Sequence, residues 1–100
     1  MALRRYAPLK PSSGTRIPDA VRRSVVLRDA GCVGPRVGMP TDCVGGIELD
    51  HVRASGGMGI KSPSTAENCV SLCGSHHRMK TLEGRRWRPR LLGYLNAGPR

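Results

Sequence analysis

The stretch CGSHHRMK, residues 73–80, packs a cysteine, two adjacent histidines and two cations into eight positions. Cys73 and His76 are separated by two residues, a spacing that lets a thiolate and an imidazole meet on one ion across a strand-to-helix turn, where the helix N-terminus favours negative ligands. Cys32 and Cys43 supply two more thiolates, and three thiolates with one imidazole make a structural zinc set. The intervening VGPRVGMPTD is wider than a usual zinc knuckle, but its glycines and prolines allow it to fold back. Cys69, four residues before Cys73, faces the same way on a strand but too far off to share the ion, and reads as a buried core thiol.

If His76 closes that site, His77 points about 100° further round the helix and needs another occupation. Asp50, late in the segment IELDHV, can reach a second, hydrated divalent ion together with His77. His51 projects to the other side of the strand and can address a water instead of ligating. Carboxylate and imidazole suit Mg²⁺, Mn²⁺ or another divalent transition ion, and histidine is the side chain whose ordinary titration suits proton transfer near neutral pH.

These residues must be positioned by a small set of elements. A helix is expected from Asp19, as N-cap, to Gly31, although Val25–Leu27 would also suit a short strand. A turn-rich stretch covers 31–46. Residues 47–52 alternate at strand period, with Ile47, Leu49 and His51 on one side and Glu48, Asp50 and Val52 on the other. After a loop over 54–68, CVSLC forms a second strand, and a helix from about Ser75 is stopped by Gly84. In the basic segment 85–100, Pro89 is expected to prevent one unbroken helix, and Trp87 to pin the segment to the core.

The 100-residue chain has no Phe, 13 Gly and 8 Pro, a composition poor in core material that favours a metal staple. Its formal charge of +10 is concentrated at the ends: seven basic and two acidic residues over 1–31, and seven against one over 78–100. Such an arrangement suits a polyanion held around a neutral centre. The sequence offers neither a signal peptide nor a membrane span, so an intracellular location with reduced thiols is expected, and no membrane partner.

The residues LDHV at 49–52, Asn68 in ENCVSLC, and CGSHHRMK resemble the HNH branch of the ββα-metal nucleases. RDAGC, at 28–32, is similar to the lead-in to the first zinc cysteine in that family. The chain departs from the pattern where His76 replaces the last zinc thiolate. The resemblance implies a small α+β protein with a ββα-metal (HNH) fold, a structural zinc site and basic flanking arms. Its parts would be an arm over 1–18, a nuclease domain over 19–84 and a basic tail over 85–100. It implies a DNA endonuclease with Asp50 and His77 on a catalytic divalent ion, His51 as general base and Asn68 orienting that base through the loop. Double-stranded DNA would meet Arg53, Arg78, Lys80, Arg85, Arg86 and Arg88. Small members are common in phages, so terminase subunits are expected partners and the host cytoplasm the location. The alternative is a zinc-stabilised DNA-binding or packaging accessory module without catalysis.

Overall fold

The computed structural model describes residues 17–53 and 63–97. The expected arm therefore lies almost wholly outside the described residues, as does most of the loop expected over 54–68. Helix α1 spans Asp19–Asp29, strand β1 Ile47–His51, strand β2 Cys69–Cys73, helix α2 Gly74–Leu82 and helix α3 Gly84–Asn96. Short 3₁₀ turns at Gly34–Val37 and Ala66–Asn68 complete the order. Pro18 precedes α1 and Asp19 lies in its first turn, without a side-chain cap. The valines at 25 and 26 are helical.

The two strands pair antiparallel, Ile47 opposite Cys73 through His51 opposite Cys69. Because side chains alternate across a strand, this register puts Leu49, His51 and Cys69 on one face and Glu48, Asp50, Val70 and Leu72 on the other. Leu49 and Cys69 pack with Val21 and Val25 of α1 and with Ile17. Val70 and Leu72 pack with Val33, Met39, Val52, Trp87 and Leu91. β2 is buried along its whole length, so the sheet forms the middle layer between α1 and α3. This is a small α+β fold in which β1, β2 and α2 form a ββα unit.

α3 corrects one expectation. It runs through Pro89 as one helix. Proline removes a hydrogen bond to the carbonyl four residues back and costs a helix interior about 3 kcal/mol. Against that cost, α3 buries Trp87 and Leu91, one turn apart and flanking the proline, at 1% and 0% exposure. Full burial of each large apolar side chain stabilises by about 1.5–3 kcal/mol. The indole does pin the basic C-terminal segment to the core.

The RD of RDAGC has a structural role that its composition does not announce. Asp29 is fully buried. It accepts from the Ser71 amide of β2 at 2.8 Å, from the Tyr94 hydroxyl of α3 at 2.6 Å and from Arg28 Nε at 2.7 Å. Arg28 also donates to the Ala66 and Cys69 carbonyls. One carboxylate thus ties three elements together. Burial alone would push its pKa up; the hydrogen bonds from Arg28, Tyr94 and Ser71 outweigh that and hold it below the usual carboxylate range. No helix among the described residues is long and apolar enough to cross a membrane.

Candidate metal centre and adjoining site

Cys32, Cys43, Cys73 and His76 converge, with their ligand atoms all within 4.8 Å of one another. His76 Nδ1 stands 3.4 Å from Cys32 Sγ, 3.6 Å from Cys43 Sγ and 3.2 Å from Cys73 Sγ. A tetrahedral zinc with bonds of about 2.1–2.3 Å places its ligand atoms roughly 3.5 Å apart, so the four donors fit such an ion in both chemistry and spacing. The other ring nitrogen of His76, Nε2, is 3.0 Å from the Pro40 carbonyl. Donation from Nε2–H to that oxygen leaves the Nδ1 lone pair directed at the thiolates.

Local structure prepares this cluster. The fold-back of 33–42 places Gly34 against the His76 ring; a Cβ there would lie 2.7 Å from Cγ and Nδ1. The amides of Gly34 and Cys73 point at Cys32 Sγ, at 3.3 and 3.2 Å. Cys73 is the residue before α2, and its sulfur accepts from the His76 amide. Burial would raise the Cys73 thiol, yet the Ser75 hydroxyl, the His76 and Val44 amides and Cys43 bring it down to about 6. Desolvation, with the neighbouring Cys73 and Cys32 thiols, pushes Cys43 up to about 11. Thiols this close resist ionising together, and a cation among them relieves that repulsion. Cys69 stays apart in the core, its thiol pushed up to about 11 by burial and by the Asp50 charge.

A second constellation lies on the Glu48–Asp50 side of β1. His77 Nε2 is 3.1 Å from Asp50 Oδ1, and His77 Nδ1 is 2.5 Å from Glu48 Oε1. Lys80 Nζ sits 3.1 Å from Asp50 Oδ2 and donates to the His51 carbonyl at 2.9 Å. Among the described residues the buried Oδ2 makes no hydrogen bond, and the Lys80 ammonium is its ionic partner. A carboxylate beside an imidazole nitrogen suits a hard or borderline divalent ion. Glu48, a residue that sequence reasoning missed, would orient His77 from behind as metal-bound imidazoles commonly are. The signal that could have found it is the strand period, which sets it two residues before Asp50.

His51 lies on the other face of β1, half-buried, with Nε2 2.9 Å from Ser64 Oγ. Asn68, 1% exposed, accepts from the Arg53 amide at 2.8 Å and donates to the Pro63 and Arg53 carbonyls at 3.0 and 3.3 Å. It joins the chain on either side of 54–62. Arg53, Arg78 and Arg85 are exposed and make no ion pair among the described residues. Arg86 lies over the Trp87 ring at 4.6 Å and pairs with Glu83 at 3.4 Å. Arg88 donates to the Val52 carbonyl at 3.0 Å. Lys80, only 9% exposed, has its charge turned inward. A cleft of about 590 Å³, lined by Glu48, His77, Arg78 and Thr81, opens on the His77–Glu48 side of this constellation.

Comparisons with protein-family models, with curated proteins and with solved structures find no match to this chain. Its own geometry therefore identifies it as a small ββα fold carrying a Cys₃His cluster able to hold a metal ion.

Proposed function

We propose that the chain is a metal-dependent DNA endonuclease of the HNH kind, hydrolysing phosphodiester bonds with His51 as general base. The observation that carries this reading is the parting of two neighbouring imidazoles, His76 to the thiols and His77 to Asp50. Zinc in the Cys₃His cluster would stabilise the fold. A divalent ion bound by Asp50 and His77, Mg²⁺ or Mn²⁺ being suited, would supply neutralisation of charge on a phosphoryl oxygen and on the departing 3′ oxygen.

The protein's own groups then have distinct tasks. Lys80 anchors the end of β1 by holding the His51 carbonyl. Asn68 closes the loop next to His51. His51 takes a proton from the attacking water as the oxygen adds to phosphorus. The bond to the 3′ oxygen breaks, that oxygen takes a proton from solvent water, and His51 later returns its proton to solvent, giving a 3′-hydroxyl and a 5′-phosphate. Arg53 and Arg78 bind phosphates flanking the scissile one, and Arg85 and Arg86 extend the contact without reading bases. Work beside a phage terminase during DNA packaging is the biological setting this reading proposes.

One observation favours the non-catalytic alternative, a zinc-stabilised DNA-binding or packaging module. Glu48, His77, Asp50 and Lys80 form a charge chain that can stand on its own without an ion. Nicking of supercoiled plasmid with Mg²⁺ or Mn²⁺, with and without EDTA, separates the two. The nuclease reading expects EDTA-sensitive nicking that Asp50→Ala, His51→Ala and His77→Ala each abolish while zinc content and DNA binding persist. DNA binding with no nicking under either ion would favour the accessory module.

A further inference from the structure

The main chain around His51 is fixed on every side. Its carbonyl accepts from Lys80, the Val52 amide donates to the Asn68 carbonyl at 2.8 Å, and the Val52 carbonyl accepts from Arg88. None of these bonds sets the imidazole itself, which keeps two rotatable torsions. The ring has one hydrogen-bond partner among the described residues, the Ser64 hydroxyl at 2.9 Å from Nε2. Its Nδ1 has none there, and the residue is only half-buried.

Ser64 is in turn delivered by Asn68. The Asn68 amide holds the Arg53 amide and carbonyl on one side of 54–62 and the Pro63 carbonyl on the other. Ser64 follows Pro63 directly, so one buried amide brings the hydroxyl to the ring.

We infer that Ser64 is the positioning residue of His51, its oxygen accepting Nε2–H so that the ring presents the Nδ1 lone pair as the base. This rests on the nuclease reading of the site. A serine hydroxyl can donate or accept, but only acceptance holds through the reaction. When Nδ1 takes the proton of water the ring becomes an imidazolium, and its Nε2–H stays on Ser64 without rearrangement. A hydroxyl that donated to Nε2 would leave Nδ1 carrying the hydrogen and no lone pair open to water. Asn68 acts on the base through Pro63 and Ser64, not by touching the ring.

The test compares the zinc-loaded full chain with Ser64→Ala and Ser64→Thr, by ¹⁵N NMR of the histidine rings and by nicking kinetics. The wild-type His51 ring should be the Nε2–H tautomer. Ser64→Ala should give a mixture of tautomers and a kcat about tenfold lower at unchanged KM, with zinc content and melting temperature preserved. Ser64→Thr, which keeps the hydroxyl, should restore both readouts. A wild-type ring protonated at Nδ1, or a Ser64→Ala protein with unaltered tautomer, overturns the inference even if the wild type nicks DNA. An ordered Nε2–H ring that Ser64→Ala disorders, in a wild type without nuclease activity, upholds the contact and rejects the nuclease reading instead.

Discussion

His76 and His77 share a peptide bond, yet their rings meet different partners. Nδ1 of His76 stands 3.2 Å from Cys73 Sγ, whereas Nε2 of His77 stands 3.1 Å from Asp50 Oδ1. Neighbouring residues on a helix diverge by about 100°. With the β2–α2 turn fixed against Cys32 and Gly34, that divergence sends the second ring to the Glu48–Asp50 face of β1. A thiol-rich centre and an oxygen-rich one therefore stand back to back on one short helix.

The two histidines should fail differently when removed. His76→Ala should release zinc and unfold the domain, because structural zinc supplies folding free energy. His77→Ala should keep zinc and a cooperative melt while losing divalent-ion-dependent nicking. Metal analysis beside thermal denaturation checks this; equal zinc loss in both variants would refute the division.

Gly34→Ala removes no ligand but places a methyl 2.7 Å from the His76 ring, which must tilt away from the thiols. Zinc affinity should fall by roughly 10–100-fold, the range seen when the surroundings of a ligand are disturbed. Competition with a chromogenic chelator measures it, and wild-type affinity would show that the ring can shift freely.

The depressed pKa of Asp29 gives a pH signature. A carboxyl lower in the folded than in the unfolded state stabilises above its unfolded value of about 3.9, and that contribution is lost as pH falls through the folded value. Asp29→Asn should cost about 3 kcal/mol near neutrality, the lower end for breaking a buried pair, since Arg28 is 27% exposed. The gap between the two proteins should narrow below about pH 4. Urea melts across pH test this, and a gap constant down to the most acid pH at which both fold would reject it.

Pro89 is exposed and leaves the Arg85 carbonyl without its helical donor. Pro89→Ala should therefore stabilise the protein by up to about 3 kcal/mol, read as a higher melting temperature. An unchanged or lower value would mean that the proline ring packs usefully where it stands.

Arg78 and Arg85 are exposed, whereas the Lys80 ammonium is bound inside. Replacing either arginine by Ala should lower the slope of log affinity against log salt by about 0.9 for each duplex phosphate left without its cation. Lys80→Ala should instead lower the melting temperature, because Asp50 and the His51 carbonyl are then deprived of the ammonium. Titrations at several salt concentrations distinguish these outcomes; an undiminished slope in both arginine variants would place the DNA on another face.

Much of this was legible in residue order because it depends on directions within a single element. Strand period puts Glu48 and Asp50 on one face and His51 on the other, helical pitch separates His76 from His77, and thiolate chemistry groups Cys32, Cys43 and Cys73 with an imidazole. The partners, however, are long-range. Asp29 meets Ser71 across 42 positions and Tyr94 across 65; Lys80 turns its charge inward to a carbonyl 29 residues earlier. Packing decided these contacts, as it decided that α3 runs through Pro89, since burying Trp87 and Leu91 outweighs a local helix cost. Ser64 carries no signal of its own, because a hydroxyl gains a role only when the fold sets a ring nitrogen beside it.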